Sequence, residues 1–245
     1  IDTPYIKVNG KLQISNWNDS LNLIKKELID RSKEKTLAVS GKFTDIETLY
    51  STKSFLKSIG SDFFECRYDN AQFLEGKRES YIFNSSIQEI DNSDAILLIG
   101  TNPRWEASVL NSRIRKAYIN NNCKIGLIGK KINLTYNYIH LSENIAHIND
   151  LLNKNSQFSK VLQDAKKPIM IIGNSAINLN DGIDLLNACS EIAKIYKICN
   201  DNFNGMNILQ QDISRVGAID LGFYNKNFDG DFEQKIKKHV NIHKP

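Results

Sequence analysis

The sequence lacks any long apolar run and any strong excess of one charge. Its longest apolar stretches, residues 95–100 and 169–173, are far shorter than the roughly 20 residues that cross a bilayer as a helix. The 32 basic and 28 acidic residues leave a net charge of only +4, and the basic residues are scattered. Nucleic-acid grooves need clustered Lys and Arg. The sequence therefore predicts no nucleic-acid binding and no membrane span of its own.

Metal-binding residue types are present, but their spacing does not suit a metal site. The four cysteines are Cys66, Cys123, Cys189 and Cys199. The four histidines are His140, His147, His239 and His243. No two cysteines are closer than ten positions and the histidines form no HxH or HExxH pattern, whereas zinc and iron–sulfur sites usually use local pairs. The sequence predicts buried or half-buried thiols in a reducing compartment and no metal site.

Catalytic motifs are also missing. Ser175 has no GxSxG elbow around it, and no DxD or ExxE pair falls on a predicted loop at a strand end. The chain contains neither a GxGxxG fingerprint nor a Walker loop. No residue is therefore assigned a catalytic role.

Short apolar segments alternate with amphipathic ones along the chain, which is typical of an α/β protein. Strands are predicted at 36–40, 95–99, 124–128 and 168–172. Helices are predicted at 17–30, 45–58, 105–119, 143–164, 181–195 and 231–239. A strand–helix–strand unit of this length requires a parallel sheet. The pattern restarts near residue 165, so we expect two Rossmann-like lobes, 1–165 and 166–245, the second incomplete at its C-terminal end.

Two glycine turns follow predicted strands at the place where open α/β sheets bind ligands. The first covers residues 100–103, in which Gly100 permits a close backbone approach and Asn102 could hydrogen-bond to a base or a ribose. The second covers residues 173–175 and begins at Gly173. From these residues alone, the turns are either structural elements or part of a nucleotide-type pocket.

The segment 92–116 resembles the large iron–sulfur subunit of respiratory complex I. It contains GTNPRWEA followed by NSRIRK, in the order typical of that family. Three further blocks resemble the family in the same order, at residues 40–49, 168–182 and 207–222. The resemblance spans nearly the whole chain.

That resemblance implies a molybdopterin-oxidoreductase-like fold of Rossmann-like parallel-sheet lobes with flanking helices. In active members of the superfamily a G-x-N-P turn contacts the guanosine part of the pterin cofactor, and Gly100, Asn102 and Pro103 match that turn. The resemblance also implies that the complex I branch has lost the cofactor. We therefore expect a vestigial turn, with no cofactor, no metal and no catalytic residue on this chain.

The resemblance further implies a structural domain in the peripheral arm of NADH:ubiquinone oxidoreductase. Its partners would be other peripheral-arm subunits and the iron–sulfur portion of the same subunit, which would carry the [2Fe–2S] and [4Fe–4S] clusters. It would lie on the matrix side of the mitochondrial inner membrane, or on the cytoplasmic side of the bacterial one, and meet the membrane only through the complex. Because the chain starts at Ile1, we expect a processed chain, a trimmed chain or a fragment.

Two other functions fit parts of the sequence. One is a fragment of an active molybdopterin-dependent oxidoreductase of formate-dehydrogenase type, although no cysteine lies in a plausible metal-ligand context. The other is a stand-alone Rossmann-like protein that binds a small molecule, against which the collinear blocks argue.

The stretch from Phe63 to Phe83 contains more aromatic residues than is usual for a solvent-exposed loop. Its rings are Phe63, Phe64, Tyr68, Phe73, Tyr81 and Phe83. Aromatic residues are enriched at the centres of interfaces, so we expect at least two of the six to contact another chain. The alternative is that they close the core of the first lobe.

Overall fold

The computed structural model describes residues 2–30, 36–225 and 236. The strands are β1 (Tyr5–Val8), β2 (Lys11–Ile14), β3 (Ala38–Val39), β4 (Phe64–Glu65), β5 (Ala95–Ile99), β6 (Lys124–Ile128), β7 (Ile139–Ser142), β8 (Pro168–Gly173), β9 (Cys199–Asn200), β10 (Phe203–Asn204) and β11 (Met206–Leu209). The helices are α1 (Trp17–Asp30), α2 (Ile46–Ser58), α3 (Ile87–Asp91), α4 (Pro103–Glu106), α5 (Ser108–Asn121), α6 (Ile148–Leu152), α7 (Ser159–Asp164), α8 (Asn174–Ile177), α9 (Gly182–Ile195) and α10 (Arg215–Asp220). Apart from Ile236, the helix predicted at 231–239 lies outside the described residues.

A five-stranded parallel sheet forms the centre of the fold, in the order β11-β8-β5-β6-β7. Every residue of β5 and β8 is buried. Their sequences are unbroken apolar runs because parallel strands with both faces covered have no solvent side. The parallel strands predicted at 95–99, 124–128 and 168–172 are confirmed.

Helices cover both faces of this sheet. On β5, Leu97 and Ile99 point into a core shared with α6, α7 and α9, whereas Ile96 and Leu98 belong to a second core shared with α3 and α5. The alternation follows from the two-residue period of a strand. The sheet therefore lies between two helical layers, and the loops after its strands are left free to form a site.

The predicted division near residue 165 does not separate two sheets. Strand β8 lies after that residue and β5 before it, yet the two are hydrogen-bonded neighbours from Ala95 opposite Pro168 to Ile99 opposite Ile172. Segments 1–165 and 166–245 thus contribute strands to one sheet instead of each building its own. A domain boundary at residue 165 stays a prediction.

The single helix predicted at 143–164 is wrong. The described chain has a short 3₁₀ turn, then α6 and α7, separated by a loop at 153–158. Lys154 adopts a left-handed φ of 58°, and the N–H groups of Asn155 and Ser156 both donate to the carbonyl of Asp150. A residue in the left-handed conformation ends a helix. The apolar residues keep a helical spacing through this turn, and therefore the sequence pattern did not reveal the break.

A third core lies beside the central sheet, around α2, α10 and the two-stranded parallel sheet of β3 and β4. The strand predicted at 36–40 therefore pairs with Phe64–Glu65 and not with the central sheet. Phe64, Phe73 and Tyr81 are buried in this core, with the Phe73 and Tyr81 rings edge-to-face at 5.6 Å.

The aromatic stretch mainly closes the chain's own cores. The predicted alternative to an interface was the core of the first lobe, but the third core also contains residues of α10, beyond residue 165. Three of its six rings build the third core, and Phe83 packs against the core of α3 and α5. Phe63 and Tyr68 are half-buried, as is Phe83. Any contact with another chain would therefore involve these three half-buried rings, and it stays a prediction.

Candidate functional site

The two glycine turns meet at the carboxyl edge of the central sheet, because β5 and β8 are neighbours. The Ser175 hydroxyl donates a hydrogen bond to the carbonyl oxygen of Gly100. A Cβ atom at Gly173 would lie 2.5 Å from that carbonyl oxygen and 2.6 Å from the Cβ of Thr101. Gly100 itself has a left-handed φ of 54°. Glycine is therefore required at both turns by their mutual contact.

The first turn is completed by a carboxylate from its own helix. One oxygen of Glu106 accepts a hydrogen bond from the Asn102 N–H at 2.7 Å, and the other accepts from the Thr101 hydroxyl at 2.8 Å. Pro103 occupies the first position of α4, where a missing N–H costs nothing. Two of the donors with which such a turn could bind an anionic ligand are thus already satisfied by Glu106.

The Asn102 side chain does not serve as a helix cap. It makes no side-chain hydrogen bond to α4, and its Oδ1 is buried without a partner among the described residues. The sequence correctly placed Asn102 at the turn, but the turn's shape depends on Glu106, which the sequence analysis did not single out.

Replacing Glu106 by alanine is expected to lower the free energy of unfolding by about 1–3 kcal/mol, because the Asn102 N–H and the Thr101 hydroxyl lose their acceptor. Glu106→Gln should lose less, since its amide oxygen can still accept. Urea unfolding followed by circular dichroism measures both. Glu143→Ala is the matched control, because Glu143 is exposed and lines the same cavity. Equal stability of the Glu106→Ala and Glu143→Ala chains would contradict the assignment.

A cavity of about 480 Å³ lies above the two turns. Besides the turns, it is lined by Gly129 and Lys130 after β6 and by Glu143, Asn144 and Ile145 after β7. Among the described residues, Lys130 is the one basic residue in its lining, against the two carboxylates of Glu106 and Glu143. The cavity therefore suits a small polar molecule better than a polyanion.

A buried charge cluster lies at the same end of the fold, and sequence reasoning missed it. Nη2 of Arg215 donates to Asp69 Oδ1 and to Asp212 Oδ2, each at 2.7 Å, and the Tyr68 hydroxyl donates to the same oxygen of Asp212 at 2.7 Å. The Arg215 side chain is 1% exposed and that of Asp212 2%. The cluster joins the loop after β4 to the start of α10.

The pKa of Asp212 reflects these contacts. Burial alone would raise it, but the hydrogen bonds from Tyr68 and Arg215 and the Arg215 charge outweigh burial and hold the pKa below its ordinary value. Asp212 is therefore ionised at neutral pH and compensates the buried guanidinium.

The cysteines are packed thiols, as predicted. Cys66, Cys123 and Cys189 are buried and Cys199 is half-buried. Burial raises the pKa of each of the first three thiols to about 12, so they are protonated at neutral pH. A protonated thiol is a poor nucleophile and a poor metal ligand.

The two described histidines make local contacts. His140 Nε2 is 2.9 Å from the carbonyl oxygen of Gly129, and His147 lies between Asp150 and Ser156. His239 and His243 lie outside the described residues. Within residues 2–30 and 36–225, no three His, Cys, Asp or Glu side chains are grouped so as to hold a metal ion. In the same part of the chain, no helix has the length and apolar character to cross a bilayer.

Comparison with protein-family models gives one match over almost the whole chain. The model described as molybdopterin oxidoreductase matches residues 1–244. The chain belongs to the molybdopterin oxidoreductase family. The five-stranded parallel sheet with helices on both faces agrees with this assignment, and the predicted fold class is confirmed.

Curated relatives within this family carry the names of respiratory-enzyme subunits. The chain is 34% identical over 223 residues to the G subunit of NADH-quinone oxidoreductase from Rickettsia felis, an alignment that covers 91% of the chain and 33% of that protein. It is 32% identical to the NADH-ubiquinone oxidoreductase 75 kDa subunit of Reclinomonas americana, over 98% of the chain and 37% of that protein. The predicted resemblance is confirmed. The chain spans about a third of the length of these relatives.

Among solved structures, a chain of the formyltransferase/hydrolase complex of Methylorubrum extorquens has a similar fold. The TM-score is 0.57 at 13% sequence identity, over 87% of this chain and 63% of that one. At this identity the likeness concerns the fold alone.

Proposed function

We propose that the chain is a structural domain in the peripheral arm of a respiratory NADH:quinone oxidoreductase, complex I, and that it supports electron transfer without a redox centre of its own. The observation that carries the proposal is that relatives at 32–34% identity over 91–98% of the chain are named as subunits of that enzyme. The same observation favours this function over a formate-dehydrogenase-type fragment.

The family as a whole implies a pterin cofactor, and the first turn matches the one that contacts its guanosine part. Here the carboxylate of Glu106 already accepts from the Asn102 N–H and the Thr101 hydroxyl, so a nucleotide group that used these donors would have to displace it. Among the described residues, the cavity lining carries the carboxylates of Glu106 and Glu143 against one lysine, Lys130. Two carboxylates near the anionic phosphates of a dinucleotide would repel them. These contacts support a vestigial role for Gly100, Asn102 and Pro103.

The proposal extends to cofactors and location. The [2Fe–2S] and [4Fe–4S] clusters would be carried by polypeptide outside these 245 residues, and the partners would be that iron–sulfur portion and other peripheral-arm subunits. The chain would lie on the matrix side of the mitochondrial inner membrane, or on the cytoplasmic side of a bacterial one. It would contact the membrane only through the complex.

The test is purification of the affinity-tagged chain from its source. We expect NADH:quinone oxidoreductase activity and iron–sulfur electron paramagnetic resonance signals to co-purify with it. Purification of the chain without that activity would contradict the proposal.

The Asn102 Oδ1 atom has no hydrogen-bond partner within the described part of the chain. Because removing such a side chain costs little stability, Asn102→Ala in the tagged chain is expected to leave assembly and NADH oxidation nearly unchanged, within about twofold. A pterin-dependent site would instead lose most of its activity. The measurements are a native gel and the rate of NADH oxidation in the purified assembly.

A further inference from the structure

The N-terminal part of the chain carries apolar side chains that the rest of the described chain does not cover. Within residues 2–28, Ser20 is the one buried residue. The segment consists of the β1–β2 hairpin followed by α1. The hairpin strands pair with each other and with no other described strand. A lone two-stranded hairpin is marginally stable in water, so a covering surface is expected.

One face of the hairpin is largely apolar. Tyr5 pairs with Ile14 and Lys7 with Leu12, and residues directly opposite in alternate pairs share a face. On this face Tyr5 is 52% exposed, Leu12 72% and Ile14 73%. A patch of exposed apolar side chains on a protein surface usually marks a contact site.

Helix α1 continues the apolar character immediately after the hairpin. The Asp19 N–H donates to the side-chain oxygen of Asn16 at 2.8 Å, which starts the helix. Trp17, Leu21 and Ile24 then recur at spacings of four and three, which places them on one face. All three are more than half exposed. We call the exposed apolar residues Tyr5, Leu12, Ile14, Trp17, Leu21 and Ile24 the N-terminal surface.

The charges around the N-terminal surface argue against a lipid partner. The lysines of residues 2–28 are Lys7, Lys11, Lys25 and Lys26, and the acidic residues are Asp2, Asp19 and Glu27. The two signs nearly cancel, whereas helices that lie on membranes carry a strongly basic polar face. A mixed-charge rim around apolar side chains is instead typical of a protein–protein contact.

The length of the relatives indicates which polypeptide covers this surface. The matched segment is 33% of the Rickettsia felis protein and 37% of the Reclinomonas americana protein, so most of each subunit lies outside it. We propose that the N-terminal surface docks onto that remaining part of the same longer subunit. The inference rests on the proposed function, because it takes the chain to be one domain of such a subunit.

Site-specific photo-crosslinking tests the docking partner. A benzophenone amino acid is placed at Leu12 or Leu21 of the tagged full chain in its source organism, and at Ile119 or Ile213 as controls. The controls are similarly exposed, at 58% and 79%, but lie outside the N-terminal surface. We expect the first two positions to crosslink to peptides that align with the relatives outside the matched third. Crosslinks mainly to a second copy, to lipid or to another subunit, or no crosslinks at all, would overturn the proposal.

Charge substitutions provide an independent measurement. Ile14→Glu and Leu21→Glu should each reduce incorporation into the assembly about tenfold, whereas Ile213→Glu and Ile119→Glu should not. The purified variants should keep the wild-type unfolding midpoint, because each side chain is already exposed.

The docking inference and the proposed function can fail separately. If the wild-type tagged chain co-purifies with NADH oxidation but the Ile14→Glu and Leu21→Glu variants incorporate normally, the docking inference fails and the proposed function stands. If the wild-type chain itself does not co-purify, the proposed function fails.

Discussion

Replacing Arg215 by methionine is expected to lower the free energy of unfolding by about 3–5 kcal/mol, the range found when one partner of a buried ion pair is removed. Methionine fills similar space, but Asp69 and Asp212 lose the guanidinium that compensates their charge. Urea unfolding followed by far-UV circular dichroism measures the loss. Arg115→Met is the control, because Arg115 is exposed on α5, and it should change stability by less than about 0.5 kcal/mol.

The pH dependence of the stability lost in Arg215→Met tests whether that loss comes from charge or from packing. The pKa of Asp212 is lowered in the folded chain, so the folded state binds that proton less readily than the unfolded state. The contribution of the Asp212 carboxylate to the free energy of unfolding is present above the ordinary carboxyl pKa of about 3.9. It disappears as pH falls through the lower pKa of the folded chain. The difference between wild type and variant should therefore be full at neutral pH and shrink below about pH 4. A loss that is as large at pH 3 as at pH 7 would show that the cluster contributes by packing alone.

Replacing Gly173 by alanine is expected to destabilise the chain by about 3 kcal/mol, at the upper end of the cost of overpacking. The added Cβ would lie 2.5 Å from the carbonyl oxygen of Gly100 and 2.9 Å from the Cα of Thr101. Both are backbone atoms, so relief requires moving one strand end relative to the other.

Gly41→Ala is the matched control for Gly173→Ala. A Cβ there meets only the Thr44 hydroxyl oxygen, at 4.0 Å. Stability should be unchanged or raised by about 0.5 kcal/mol through the unfolded state. Equal melting temperatures of the two variants would contradict the close contact between the turns.

Much of the central sheet could be predicted because its strands leave a local signal. The runs Ala95–Ile99 and Pro168–Gly173 are continuous and apolar, which indicates strands covered on both faces. Strand β3 has only two residues and pairs with β4, 26 positions along the chain, in a separate sheet. No local pattern encodes a partner at that distance.

The candidate site was predictable in part for the same reason. Gly100 directly follows strand β5 and Gly173 is the last residue of β8, so their place at the carboxyl edge could be read from the sequence. The hydrogen bond between the Asn102 N–H and the Glu106 carboxylate had a weaker signal in the sequence. That signal is an acidic residue in the first turn of a helix that begins at Pro103. The pairing of Arg215 with Asp69 spans 146 positions and depends on how α10 packs.

Molybdenum, tungsten, pterin and iron should be measured in the assembly that co-purifies with the tagged chain. If the chain has no redox centre of its own, the assembly should contain iron from the iron–sulfur portion but neither pterin nor molybdenum or tungsten in proportion to this chain. One pterin dinucleotide bound per chain, with its guanosine part against residues 100–103, would contradict the proposed function.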